Sequence, residues 1–577
     1  MSILGVDVGG TFTDAVLLED GRIRVAKVPT QRRQEESVVA AAAELGARPE
    51  RFRHGTTVAT NALLERKGAR TAFVATEGFE HLLHLARQTR AHLYRLCEPN
   101  PEPVVPLERC YGVRERIGPE GVVRELELES LPELDAEAVA VCLLFAFRNP
   151  THERLVVEEL RRQLPGVRVV GSHEVAPEFR EYERASTTAV DAYLGPAVGA
   201  YFERLGSACA EAGLPEPLVM LSSGGVAGVA EAAAHPARVL VSGPAAGVVG
   251  AADVARRAGF SDAIAFDMGG TSTDVCLIED GRATRSSERK VGGLPVRLPT
   301  VDVHTVGAGG GSIVRRDAGG ALRVGPKSAG ADPGPACYLR GGTLPTVTDA
   351  NLLLGRLPGR LAGGLTLDES AAAEALGDID PANVVAAVNA EMLRALRIVS
   401  VDRGQDPRDL ALVAFGGAGP LHACALAEEL DMRAVVVPDA AGVLSALGLV
   451  ASDERRDSVR AYVSPLVEAG DLPAEGEADL RYRGQSHELT VPLGDDVAAC
   501  FHRAHEERYG YADPEREIEL VAVRTAEVVP GPKLDLEPGE PLRVQGPARV
   551  DLDGATCWVA PGWEGARDGT SLVLTRS

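Results

Sequence analysis

Two hydrophobic rhythms alternate along this chain. Short, nearly unbroken apolar runs at residues 3–6, 138–147, 167–170, 218–221, 263–266 and 411–415 predict buried strands. Stretches with apolar residues every three or four positions predict helices at 34–45, 151–164, 178–194 and 383–401. Residues 54–66 begin as a Gly/Thr loop and run into a helix, and residues 242–251 open a helix built from small residues. Strands alternating with helices predict an α/β fold. Residues 97–130, rich in Pro, Glu and Arg, read as an irregular or β-rich excursion. Past residue 452 the rhythm shortens. Strands at 477–482, 488–491, 521–528, 548–552, 556–559 and 571–575, with one helix near 497–509, predict a mostly β C-terminal module. The expected divisions are 1–200, 201–451 and 452–577.

Within this pattern a sixteen-residue unit occurs twice. The run from Asp7 through Asp14 to Arg22 returns 260 positions later, from Asp267 through Asp274 to Arg282, with eleven of sixteen residues identical. Each copy follows a strand and precedes another apolar run and a Glu-Asp-Gly-Arg turn, so each predicts a hairpin. A Gly-Gly pair leaves no side chain to block a ligand. Backbone N–H groups at such a turn converge on an anion. Gly9, Gly10, Thr11 and Thr13 of one copy, with Gly269, Gly270, Thr271 and Thr273 of the other, are therefore expected to hold phosphates. Asp7 and Asp267, at strand ends, are expected to hold Mg²⁺ directly or through water. A plain hairpin accounts for either copy alone. Two copies with the same chemistry predict two halves facing one nucleotide.

The formal charge of −23 argues against sequence-independent nucleic-acid binding, which needs a basic surface. Nine scattered cysteines contain no C-x-x-C pair, which fits a reducing cytoplasm better than a disulfide framework. The first strand begins at once and leaves no room for a signal peptide. Apolar stretches break before membrane-spanning length. The expectation is a cytoplasmic protein with no membrane or nucleic-acid partner.

Other segments carry candidate chemistry. His54, Thr56 and Thr57 begin the Gly/Thr loop, where Thr57 or Thr60 either caps the helix or leaves the loop free for an anion or carbonyl. The small residues of 242–251 suit a close helix crossing near a hinge, or simply a tight core. Asp302 and His304 precede a glycine run and read either as a polar pair facing a cleft or as structural residues. Asp332 lies in a dense turn segment. Asp349 and Asn351 read as helix caps. Gly416, Gly417 and Gly419 join a strand to a helix, forming a flat surface that suits adenosine. Neither a dinucleotide fingerprint nor a Walker A sequence is present.

The order of these segments resembles the superfamily of sugar kinases, heat-shock chaperone ATPases and actin. Within it, DVGGTFTD, HGTTVATNALLERKGAR, SGPAAGVVGA, DMGGTSTDV, VDVHTVGAGGGSI, KSAGADPGPACY, PTVTDANLLLGR, AFGGAGPLHA and YRGQSHELTVP, spread over residues 7–492, resemble the A-type subunit of the hydantoinase/oxoprolinase family. That family includes N-methylhydantoinase A subunits, the amino-terminal half of 5-oxoprolinase, and subunits of acetone and acetophenone carboxylases. The resemblance implies two actin-like (ribonuclease H-like) domains around a central nucleotide cleft, with ATP and Mg²⁺ as cofactors. It implies an ATP-dependent hydrolase subunit that phosphorylates a cyclic amide (hydantoin, 5-oxoproline or lactam) and acts with a B-type subunit. A ketone carboxylase subunit and a non-catalytic nucleotide switch are the alternatives. His54, Thr56, Thr57, Asp302 and His304 are the expected substrate-side residues. The chain departs from the family pattern at Ala91-His92, and it is shorter before Val141 and between Asp453 and Leu480.

Overall fold

A computed structural model of the chain describes residues 2–95, 97–361 and 364–577. Two large sheets share one topology. In the first, Ser2–Val8, Phe12–Glu19 and Arg22–Pro29 form an antiparallel meander, and Arg51–Gly55 then Leu218–Met220 add in parallel beside the first strand. In the second, Ala263–Met268, Thr273–Glu279 and Arg282–Ala283 form the meander, and Ala411–Phe415 then Ala434–Pro438 add in parallel. Each lobe thus orders its own strands third, second, first, fourth, fifth. The β-branched and aliphatic runs seen in the sequence are these parallel strands, buried on both faces.

Both sheets then continue with strands from the last quarter of the chain. Glu454–Pro465, Glu477–Tyr482, Leu489–Pro492 and Ile518–Val529 extend the first. Arg543–Gln545, Trp563–Asp568 and Ser571–Arg576 extend the second. A smaller, fully parallel sheet of Cys110–Val113, Thr71–Thr76, Ala138–Cys142 and Arg168–Gly171 stands beside the first lobe.

Two helices, Ser242–Arg257 and Leu444–Ala451, fill the space between the large sheets. Ala246 and Ala251 of one and Leu444 and Leu449 of the other join Ile3 and Val16 of the first sheet and Phe266 and Val413 of the second in one apolar core. The helices cross without room for a side chain: a Cβ on Gly448 would overlap the Ala246 carbonyl, and one on Gly250 would lie 2.9 Å from the Leu444 carbonyl oxygen. The small residues therefore serve a close crossing at the junction of the lobes.

Two elements differ from the periodicity. The strand expected at 138–147 stops at Cys142. Beyond it Phe145 takes a left-handed conformation, and the Leu143 N–H is held by the Glu153 carboxylate at 2.7 Å instead of a neighbouring strand. The helix expected to end at 194 runs from Glu181 to Ala212 straight through Pro196. Proline costs a helix one backbone bond, but Val198, Tyr201, Phe202, Leu205 and Cys209 continue the buried face beyond it. Gly213, in the left-handed conformation, makes the actual stop.

A buried ion network ties the lobe edge to the added strands. Glu178 accepts from Arg297 at 2.8 Å and from Arg524 at 2.6 Å, and Arg524 also holds Asp479 at 2.8 Å.

Gly199 and Gly448 are both helical glycines, yet only Gly199 has open space at its Cβ position. Gly199→Ala is expected to stabilise the protein by up to about 1 kcal/mol through helix propensity. Gly448→Ala is expected to destabilise it by roughly 1–3 kcal/mol through overpacking. Denaturant unfolding of both variants reads the sign directly.

Candidate active site

Each duplicated unit is a hairpin with the same turn. The Gly9 N–H donates to the Phe12 carbonyl at 3.0 Å, and the Gly269 N–H to the Ser272 carbonyl at 3.1 Å. Asp7 pairs with Asp14 across the first hairpin, and Asp267 with Asp274 across the second. Gly10, Gly270 and Thr271 lie exposed at the turn tips, with Thr11 partly so. Thr13 and Thr273 are fully buried. Thr13 shares a hydrogen bond with Thr30, whose hydroxyl donates to the Gly9 carbonyl at 2.9 Å, while Thr273 donates to the Ala308 carbonyl at 2.6 Å. These two hydroxyls brace the turns from behind.

The hairpins face a common centre. Burial first, then the charge of Asp14, lifts Asp7 to about 7 against the pull of Lys27. Burial lifts Asp267 to about 8, reinforced by Asp274 and, across the lobes, by Asp7 and Asp14, with Lys27 opposing. The charges of one hairpin thus reach the carboxylate of the other. Asp7 Oδ1 is buried with no hydrogen-bond partner. Gly243, in the first turn of the Ser242–Arg257 helix, backs onto it: a Cβ there would lie 3.5 Å from that oxygen.

Two glycine loops cover the second hairpin. The Gly310 N–H donates to the Gly269 carbonyl at 3.0 Å and the Gly311 N–H to the Gly270 carbonyl at 2.7 Å. Gly416 sits against Asp267 with φ +78, where any Cβ would overlap the carboxylate. The Ala418 N–H donates to the Met268 carbonyl at 2.9 Å. Gly417 is exposed, and Gly419 begins the Gly419–Glu429 helix. The adenosine candidates Gly416, Gly417 and Gly419 therefore adjoin the turn of the second hairpin.

The substrate-side candidates separate. His54 does not face the centre. It is fully buried, its Nδ1 lies 3.1 Å from the Val6 carbonyl, and its Nε2 lies 2.7 Å from the Tyr201 hydroxyl. Burial pushes it down to about 4, so it is a neutral core residue and no candidate for contact with substrate. Thr56 is buried and bonds Gln34, while Thr57 is half-buried and accepts from Asn61 at 3.3 Å. Both follow Gly55, which packs against Asp7. Thr60 accepts from the Val241 N–H at 2.9 Å. Asp302 is held by Arg403 at 2.5 Å, and His304, on a strand paired with Thr273–Glu279, is lowered by partial burial and Arg403. Asp332 is exposed, and Asp349 forms a capping box with Thr346.

Lys27 is the residue the sequence reading missed. It pairs in register with Asp14, bonds its carboxylate at 2.7 Å, and reaches the Gly442 carbonyl of the other lobe at 3.2 Å. The signal was present: a meander with a two-residue turn fixes Lys27 opposite Asp14 once the turn at Asp20-Gly21 is placed.

Among the described residues no group of three or more His, Cys, Asp or Glu side chains forms a metal cage. A magnesium ion shared with phosphates needs only one or two carboxylates and its own waters, and the unpartnered Asp7 oxygen fits that demand.

Two lobes of the same ribonuclease H-like topology, each with a matching hairpin, define an actin-like fold. Sequence models of the hydantoinase/oxoprolinase N-terminal region and of hydantoinase/oxoprolinase match residues 3–164 and 184–458. The chain belongs to the hydantoinase/oxoprolinase family. It is 34% identical to caprolactamase subunit alpha of Pseudomonas jessenii, over 90% of this chain and 85% of that one. It is 36% identical to the acetophenone carboxylase gamma subunit of Aromatoleum aromaticum, over 77% of this chain and 67% of that one. The crystal structure of the ATP-dependent caprolactamase from Pseudomonas jessenii superposes with a TM-score of 0.87 at 30% identity, covering 100% of both chains.

Folded Asp267 keeps its proton up to about pH 8, whereas the unfolded group loses it near 3.8. Between these values the folded state binds more protons, so this group lowers stability as pH rises. Asp267→Asn removes that penalty. In nucleotide-free protein its melting temperature is expected to exceed that of the wild type by a margin that grows from pH 4 to pH 8. Calorimetric melts showing a constant margin contradict this placement.

Proposed function

We propose that this protein is the ATP-using subunit of a cyclic-amide hydrolase and activates the ring carbonyl by phosphorylating its oxygen. The reading rests on one observation above all: two duplicated hairpins meet at an acidic centre, where charges cross between lobes and Asp7 keeps a buried oxygen free. Family membership and the likeness to caprolactamase support it.

In this reading Gly9, Gly10, Thr11, Gly269, Gly270 and Thr271 would hold the β- and γ-phosphates, and Gly416, Gly417 and Gly419 would hold the adenosine. Asp7 and Asp267 would hold Mg²⁺, and the ion would supply charge neutralisation for the phosphates. Phosphoryl transfer depends on positioning and charge stabilisation rather than on covalent help. A ring amide resists water because resonance weakens its carbonyl as an electrophile. Its oxygen takes the γ-phosphoryl group, ADP leaves, and the ring nitrogen gives up its proton. Water adds to the activated carbon, the ring C–N bond breaks to free the amine, and an acyl phosphate remains. A second water releases phosphate and leaves a carboxylate. Thr56 and Thr57, beside Asp7, are the foremost substrate-side candidates, with Asp302 and His304 behind them.

A B-type partner subunit would complete the hydrolysis, consistent with the subunit names of the relatives. All nine cysteines are unpaired, and no helix among the described residues is long and apolar enough to cross a membrane, which supports a cytoplasmic setting. The identity to an acetophenone carboxylase subunit favours a second reading, phosphorylation of an enolate or of bicarbonate for ketone carboxylation.

Phosphate release by the purified protein, with and without its partner, tests both across lactams, hydantoins, 5-oxoproline, and ketones with bicarbonate. The expected result is stimulation by a cyclic amide with ring-opened product. Stimulation only by ketone with bicarbonate selects the second reading, and turnover indifferent to every compound overturns both. Asp7→Asn and Asp267→Asn are each expected to lower the stimulated rate about a hundredfold or more.

A further inference from the structure

A cavity of about 530 Å³ lies outside the acidic centre, and none of the twin-hairpin residues lines it. Its walls are the loop after Leu218–Met220, the segment around His235, and the Glu454–Pro465 strand. The volume is that of a small-molecule site.

Two residues of its lining, Ser223 and His235, each keep a buried side-chain atom, Oγ and Nδ1, without a hydrogen-bond partner. Ser223 belongs to the Ser-Ser-Gly-Gly segment 222–225, whose chemistry the nucleotide site does not use. Its neighbour Ser222 is engaged with the Arg238 and Leu240 carbonyls at 2.7 Å. Ser223 has no such role. Buried polar atoms are nearly always satisfied, so two orphans in one cavity call for a common partner.

Charge narrows the class. Glu174 is held by Arg161 at 3.0 Å, Asp457 by Arg455 at 2.7 Å, and Glu178 by Arg297 and Arg524. Arg238 meets Glu231 only at 3.5 Å. Arg456, an exposed residue of the lining, makes no ion pair among the described residues. The lining therefore holds a guanidinium that is not engaged in an ion pair, though in register with Glu527 on the adjoining strand, and it is able to take a carboxylate. Burial, then Arg238 and Arg168, push His235 down to about 4, so its ring is neutral and offers one donor and one acceptor. Val175, Leu221, Leu298 and Val459 supply apolar wall between these groups.

We propose that this cavity binds a small organic carboxylate carrying a second hydrogen-bonding group, with Arg456 holding the carboxylate and Ser223 and His235 holding the other end. The proposal goes beyond the function given above and does not depend on it.

Isothermal titration of the full chain without nucleotide tests it with three probes: 5-oxoproline and 6-aminohexanoate, which carry the carboxylate, and ε-caprolactam, which lacks it. At least one carboxylate is expected to bind, at least tenfold more tightly than caprolactam. Arg456→Gln, at an exposed position where folding is not at stake, is expected to weaken that binding at least tenfold. Ser223→Val is expected to weaken it likewise, and Mg·ADP affinity stays unchanged in both variants. Absence of carboxylate binding overturns the proposal. So does binding that neither variant changes, which marks occupation of the catalytic cleft instead. Failure of Mg·ADP to bind the wild type bears on the proposed function alone.

Discussion

Four aspartates and one lysine at the junction of the lobes set the terms for the rest of the structure. Asp7, Asp14 and Lys27 stand in one row across the first meander, and Asp267 and Asp274 in the matching row of the second. Carboxylates gathered away from water with a single cation disfavour their own charged forms. Left alone, such a centre pushes the lobes apart or keeps its protons. In the proposed reading a bound cation would offset that charge.

The lobes withstand this repulsion because they are anchored elsewhere. The crossing of Ser242–Arg257 over Leu444–Ala451 merges the inner faces of both sheets into one core. Its first turn also delivers Gly243 to Asp7. Packing and site geometry are joined at that helix: Gly250 lets the backbones touch, and Gly243, two turns earlier, leaves the Asp7 carboxylate uncrowded. Small changes in how the helices cross would move Asp7 relative to Asp267, which is the geometry a closing cleft needs.

Much of this was legible in the sequence, and the reasons differ by element. The repeated hairpin was legible because the same glycines and aspartates recur at the same spacing, and both lobes build the same turn from them. Ala411–Phe415 and Val497–Tyr509 fall where periodicity placed them, since one is buried on both faces and the other carries its own Asp496 cap. The helix through Pro196 was not legible, because burial of Tyr201, Phe202 and Leu205 outweighs a local breaker and only tertiary contacts reveal it. His54 misled for a related reason. A histidine beside Gly and Thr has the composition of a site, but its position on a central parallel strand turns it toward Tyr201. Periodicity identified most of the late strands as strands without saying which sheet each would join, since pairing partners lie hundreds of residues away.

That last allocation has a consequence for synthesis. When the first 452 residues have left the ribosome, both large sheets still end on open strands, Val226–Gly228 and Ala434–Pro438, because their neighbours have yet to be made. Unpaired edges invite pairing with other chains. The nascent protein therefore passes through a sticky interval that closes only as its final stretch emerges. Shielding those edges until the last strands emerge would limit mispairing during synthesis.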